Sequence, residues 1–253
     1  MSRPSQNAGP PSHSTRSAAS AGTKLRLVTW NCCCGPFSKK VPLLDQLMPD
    51  VAVVQECPKP EATSDICLWF GDNLKKGLLV RAYGDYRLRE LPTAPGVPKF
   101  VIPVAVSGPT EFNLLAVWTK LQEPHRYVRA AVKAVEIYRE LFLSAPTVLM
   151  GDLNSNTIWD AEHPCDQNHS ALVRSLDELG LISTYHHFFN EAHGCESQAT
   201  FHMYRREIHP FHIDYCFIPH SWASRISHVK LGSFMEWSKF SDHQPMIIEI
   251  TTL

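Results

Sequence analysis

Apolar and polar residues alternate from Leu25 to Asn31, a period of two that predicts a strand ending in Trp30-Asn31. Val51-Ala52-Val53-Val54 is a continuous apolar run between Pro49-Asp50 and Pro58, as expected of a strand buried on both faces and ending in Gln55-Glu56. Between them, Val41 to Met48 suits a short helix with Pro42 in its first turn. Further strands are predicted over Gly77 to Ala82, Phe100 to Val106 and Phe112 to Thr119. The clearest helix then runs from about His125 to Leu143, with Val128, Ala131, Val132, Val135, Tyr138 and Phe142 on one stripe. After Pro146, the apolar run Thr147 to Met150 leads into Gly151-Asp152-Leu153-Asn154. A second helix fits Ser170 to Leu179, closed by Gly180, and strands fit Thr200 to Tyr204, His212 to Ile218 and Met246 to Thr251. Strands outnumber what simple βαβ alternation gives. The pattern predicts one α/β domain of two packed sheets with outer helices.

With 44% hydrophobic and 19% charged residues, a well-buried core is expected. The first 23 residues hold six Ser and no Val, Ile, Leu, Phe, Trp or Tyr, so they read as a disordered tail rather than a secretory signal. The domain is therefore placed at 24–253. No apolar run approaches the ~20 residues of a membrane span. The eight cysteines form no C-x-x-C pair. This points to reduced thiols in a cytoplasmic protein rather than a zinc ribbon, and a monomer is expected. A net charge of −1 removes the easy argument for nucleic-acid binding, because any basic surface must be local.

Polar residues stand at or just past four strand ends: Asn31, Glu56, Asp152 with Asn154, and Asp214 within His212-Ile213-Asp214-Tyr215. Asp242-His243 precedes the last strand. Strand ends converging on one edge are a common way to build a site. Singly, each has a plainer reading as a turn, cap or solvated end. Asp214 is the exception, since a lone carboxylate among Ile213, Tyr215, Cys216 and Phe217 needs a partner.

Taken together, Thr29-Trp30-Asn31, Gln55-Glu56, Gly151-Asp152-Leu153-Asn154-Ser155-Asn156, Ile213-Asp214-Tyr215 and Ser241-Asp242-His243 resemble the five signatures of the endonuclease/exonuclease/phosphatase superfamily. The resemblance spans about Leu25 to Ile250. It implies a four-layer fold, a two-sheet α/β sandwich flanked by helices, with the site at one rim. It also implies Mg²⁺ or Mn²⁺ held by Glu56, with Asn31 and Asp242 nearby, since hard ions prefer oxygen ligands. In that reading Asp152 orients and deprotonates water, Asn154 donates to the phosphoryl group, and Asp214 fixes His243 in its cationic form.

One position departs from the family's pattern. Trp118 stands where many members carry a proton-shuttling His, which leaves the general acid to a bound water, Tyr127 or another His. Trp118 then reads either as core or as a flat wall for a base or sugar. Asn156 and His212 are further substrate-binding candidates, and Arg205-Arg206 could clamp a phosphate. Eleven of the thirteen histidines lie from His163 onward, but their spacings are weak evidence for a second metal site. The expected function is a metal-dependent phosphodiesterase, most probable on nucleic acid. The alternatives are an enzyme for small phosphorylated molecules and, more remotely, an inactive binding module.

Overall fold

The computed structural model describes residues 24–121 and 124–252. The expected tail at 1–23 lies outside the described residues. In chain order the strands are β1 Lys24–Asn31, β2 Val51–Cys57, β3 Cys67–Asn73, β4 Lys76–Ala82, β5 Arg87–Glu90, β6 Val101–Ser107, β7 Phe112–Trp118, β8 Thr147–Asp152, β9 Leu181–Ser183, β10 Phe201–His202, β11 Pro210–Phe211, β12 Asp214–Pro219, β13 Ile226–Leu231 and β14 Met246–Thr251. The helices are α1 Phe37–Asp45, α2 Val128–Ile137, α3 Arg139–Ser144, α4 His169–Glu178, α5 Thr184–Phe189 and α6 Phe234–Trp237.

Among the described residues there are two six-stranded sheets, ordered β13-β14-β1-β2-β4-β3 and β5-β6-β7-β8-β12-β9. Both are mixed. β1 and β2 run parallel across the α1 connection, as do β7 and β8 across α2 and α3. The other pairings within the two sheets are antiparallel.

Three apolar clusters make the layers. Leu27, Val53 and Val80 of the first sheet face Leu114, Val148 and Met150 of the second. The alternate residues point outward, as the two-residue period of a strand requires. Val28, Trp30, Ala52 and Val54 pack on α1 through Leu44. Leu115, Leu149 and Phe217 pack on α2 and α4 through Val128, Ala131, Val135, Leu172 and Leu176. This is the expected α/β sandwich, and it explains the continuous apolar runs: their strands bury both faces.

Several elements differ from expectation. The single long helix is two, because Tyr138 leaves helical geometry (φ −91°, ψ 17°) between α2 and α3. Its ring stays in the core, and its hydroxyl accepts a hydrogen bond from the Ala94 amide at 3.4 Å. Helix α1 begins at Phe37, which puts Pro42 inside the helix rather than in its first turn. The strand expected over Thr200 to Tyr204 shrinks to Phe201–His202, since the chain turns at once through Tyr204 and Arg205, both with positive φ. β3, β5 and β13 were not anticipated, their exposed polar positions masking the pattern.

Gly151 is the most constrained backbone position near the rim. Its φ is +152°, and a Cβ there would sit 1.8 Å from the Val117 carbonyl oxygen. No side-chain rotation relieves a clash with backbone. Gly151→Ala is expected to destabilise the fold by more than about 3 kcal/mol, read by urea unfolding. A variant with unchanged stability would show that β7 and β8 can part without loss.

Candidate active site

The register of the second sheet fixes the centre of the site. Asp152 at the end of β8 lies opposite Asp214 at the start of β12, and on its other side opposite Trp118 at the end of β7. The first sheet supplies Asn31 from the end of β1. Its Nδ2 donates to Asp152 Oδ2 at 2.9 Å, and its Oδ1 accepts from the Cys33 amide at 3.0 Å. The Asn154 amide donates to Asp152 Oδ1 at 2.9 Å, from a residue held at φ +45°. His243 Nδ1 donates to Asp214 Oδ2 at 2.8 Å. Asp152, Asp214 and His243 are all buried, with ligand atoms within 4.8 Å of one another.

Those contacts decide the protonation states. Burial pushes the Asp152 carboxyl up and the Asp214 charge adds to this. His243, Asn31 and the Asn154 amide pull back, and the carboxyl ends at about 7. Burial pulls the His243 imidazole down, but the charge and hydrogen bond of Asp214 outweigh it, with Asp152 and Asp242 adding. It rises to about 9 and is cationic at neutral pH. The rim therefore holds a carboxylate within reach of a proton-accepting role and a fixed imidazolium beside it.

Trp30 and Ser241, within the signature segments, support the centre, and Thr119 and Thr200, outside them, add to it. Ser241 Oγ donates to the Asn31 carbonyl at 2.7 Å and accepts from the His243 amide at 3.0 Å. Trp30 Nε1 donates to the His243 carbonyl at 3.2 Å. Thr200 Oγ1 accepts from the Ile213 and Asp214 amides, and the Gln244 amide donates to the Thr200 carbonyl. The β10 to β11 hairpin is thereby tied to both halves of the rim. Thr119 accepts from Asn154 Nδ2 through its carbonyl at 3.0 Å.

The candidate metal ligands are oxygen donors at the same edge. Glu56 and Asp242 both act electrostatically on Cys33, the second residue after Asn31. Glu56 already faces a cation, with Lys76 Nζ at 2.9 Å from Oε2. This donor chemistry fits a hard divalent ion, which would exchange Lys76 for itself at Glu56.

Other candidates sit elsewhere. Trp118 is only 2% exposed, packed at a tilt against Phe100 with the Lys120 ammonium over its ring. It has no face left for a base, so the flat-wall reading is corrected to core. Asn156 is buried and its Nδ2 donates to Glu196, the His212 carbonyl and the Tyr215 hydroxyl. Its side chain is spent on the fold rather than on substrate. His212 is equally enclosed, its Nδ1 on the Gln198 carbonyl at 2.9 Å, and burial brings it down to about 4. A neutral enclosed imidazole cannot hold a phosphate, so both substrate-binding expectations are revised. Arg205 does reach the rim, its Nη2 3.7 Å from Cys33 Sγ, whereas Arg206 is exposed and is not brought to it.

A cavity of about 430 Å³ opens beside Asn154. Tyr127, Trp159, Phe201, Phe211 and Ile213 line it. Phe201 lies 4.6 Å from the His243 ring and Phe211 lies 5.2 Å from that of Trp159. No periodicity marks Trp159 or Phe201 as neighbours, because they meet only through the hairpin.

Residues 28–243 match the Endonuclease/Exonuclease/phosphatase family, and the chain belongs to it. Among solved structures, the 3′ phosphatase NExo from Neisseria, bound to a product DNA hairpin, superposes with a TM-score of 0.67. It is 19% identical, over 89% of this chain and 99% of that one. An AP endonuclease from Leishmania major gives 0.66 at 13% identity, over 91% and 88%. One from Archaeoglobus fulgidus gives 0.66 at 17%, over 90% and 100%. No curated protein matches the sequence significantly. No helix among the described residues is long and apolar enough to cross a membrane.

His212 also sets a pH dependence of stability. Its folded value of about 4 lies below the ordinary 6.5, so the unfolded chain binds the extra proton between those values. Stability is fully present above pH 6.5 and is lost as pH falls toward 4. Urea unfolding across that window is expected to show the fall, with a shallower slope in His212→Asn. Equal slopes would mean that His212 is not held neutral.

Proposed function

We propose that the protein is a divalent-metal-dependent phosphodiester hydrolase acting on nucleic acid. The observation that carries this reading is the buried Asp152, Asp214 and His243 group, joined to Asn31 and opening beside Asn154. Asp152 accepts the proton of an attacking water. Its raised carboxyl is a better base than an ordinary aspartate. Cationic His243, held by Asp214, binds a phosphoryl oxygen as negative charge develops. Asn154 Nδ2 is engaged with Thr119 and turns to the phosphoryl group when substrate displaces that contact. Glu56, with Asp242 and Asn31, would hold Mg²⁺ or Mn²⁺, which offsets charge on the transferred group. Arg205 guards the same edge and suits a neighbouring phosphate.

The aromatic cavity supports a nucleotide rather than a simple phosphate ester as the group recognised. Its volume suits one base or nucleoside, and Trp159, Phe201 and Phe211 offer apolar and stacking contact. A net charge of −1 favours ends, single strands or lesions over a long duplex grip. Tyr127 lines the cavity and offers a hydroxyl as a candidate for the general acid that Trp118 cannot supply.

The deciding experiment is hydrolysis of single-stranded, double-stranded and abasic DNA, RNA and small phosphorylated molecules, with Mg²⁺, Mn²⁺ or EDTA. Polynucleotide cleavage that EDTA abolishes is expected, with Asp152→Asn lowering kcat at least about 100-fold while substrate still binds. Phosphate release from small molecules alone would replace the nuclease reading with a phosphatase. Activity surviving Asp152→Asn would remove Asp152 from the chemistry. In the same assay, Phe211→Ala is expected to raise KM for the preferred polynucleotide about 10-fold, through loss of a stacking contact. An unchanged KM would place the base elsewhere.

A further inference from the structure

Four of the histidines noted in the sequence, His169, His186, His193 and His212, gather in one place beside Asn156, apart from the Asp152 rim. His186 is contributed by α5, with His193 and Glu196 in the turn that follows. His186 Nε2 lies 3.0 Å from Glu196 Oε1, and the ligand atoms of His186, His193 and Glu196 all fall within 4.8 Å of one another. A second ring of contacts orients them. Ser183 Oγ holds His186 Nδ1 at 2.7 Å, leaving Nε2 to face Glu196. His169 Nε2 holds His193 Nδ1 at 3.4 Å, and His169 is itself held by Ser155 Oγ through Nδ1. The Gly194 amide and Asn156 Nδ2 each donate to Glu196 Oε1 at 3.0 Å. Outer partners of this kind, one nitrogen of each ring engaged and the other presented inward, are what metal-binding imidazoles require.

A separate observation comes from His212, whose ring lies 5.8 Å from that of His186. Its Nε2 is buried with no hydrogen-bond partner, although its Nδ1 is engaged by Gln198. An unsatisfied imidazole nitrogen beside other imidazoles and one carboxylate is costly unless something polar completes the group. A cavity of about 330 Å³, lined by Ser183, His186, His187, His193 and Phe217, reaches the cluster from solvent.

We propose that His186, His193 and Glu196 form a second, structural metal site for Zn²⁺, with its fourth position toward that cavity or His212. Two imidazoles and one carboxylate are a donor set that suits zinc, whereas Mg²⁺ takes oxygen ligands. The 3.0 Å between His186 Nε2 and Glu196 Oε1 is close to the ~3.3 Å edge expected between ligands on a tetrahedral ion with bonds of ~2.0 Å. The two rings stack at 16°, so ligation opens them toward the ion, into the space the cavity provides. Zinc binding at His186 Nε2 would release the proton that this nitrogen now shares with Glu196. Burial brings the His193 imidazole down to about 3. Hydrogen bonds from His186 and Gly194 outweigh burial at Glu196 and bring its carboxyl down to about 2. The ion would tie α5 and the following turn to Asn156, and through it to Tyr215 on β12.

The test is elemental analysis of full-length protein purified without chelator and dialysed against excess Mg²⁺, which saturates the oxygen-donor rim. About one equivalent of zinc per chain is expected. It should be lost from Glu196→Gln and from His193→Ala, and kept in Glu56→Gln. Glu196→Gln is nearly isosteric and retains an acceptor for Asn156 and Gly194. Zinc-edge X-ray absorption of the unsubstituted protein needs no variant and is expected to show imidazole scattering with a mixed nitrogen and oxygen shell. Protein that neither retains nor takes up an equivalent of zinc, zinc retained by both variants, or an all-oxygen or sulfur shell would overturn the proposal. None of these readouts depends on hydrolysis, so the proposal and the hydrolase reading can fail separately.

Discussion

Two carboxylates face each other across the β8 and β12 pairing, buried at the seam of a close-packed sandwich. Placing like charges in so dry a setting is unfavourable unless other groups offset them. The chain answers with an imidazolium on Asp214 and an amide on Asp152, and each comes from the far sheet or the loop before it. The compensation is therefore tertiary. It exists only when both sheets close, which makes closure of the sandwich and assembly of the rim the same event.

Much of the surrounding structure serves that closure. Gly151 lets β8 lie against the Val117 carbonyl, which carries Asp152 to the seam. Ser241 joins the Asn31 carbonyl to the His243 amide, and Thr200 clamps the backbone at Asp214. These hydroxyls satisfy buried backbone groups that would otherwise be orphaned at strand ends. A hydroxyl acting on backbone leaves no trace in hydrophobic periodicity, which is why Thr200 gave no signal as a site residue and Ser241 stood out only within its signature segment.

The far side of Asn156 follows a different logic. There His186 and His193 stack on each other, and Glu196 is surrounded by donors. Asn156 touches this cluster, the His212 carbonyl and Tyr215 at once. It links the cluster to β12, the strand that presents Asp214. Zinc bound there would act on the rim by fixing β12, with no contact to substrate.

The sequence alone determined the layers and the centre of the site. Strands buried on both faces must be apolar throughout, so β2, β7 and β8 were legible, and Glu56 and Asp152 at the ends of β2 and β8 stood out against that background. The five signature segments carried the family resemblance because Asn31, Glu56, Asp152, Asp214 and His243 lie in short contiguous motifs. What only tertiary structure decided was which polar groups are free. Trp118, Asn156 and His212 have the right chemistry to touch a substrate, yet packing encloses Trp118 and hydrogen bonds consume the other two. The break at Tyr138 and the aromatic cavity were equally hidden, since each arises between residues distant along the chain. Periodicity reports whether a residue is apolar and which way it points. It carries no information on what distant segment will meet it, and at a rim built from two sheets that meeting sets both charge and access.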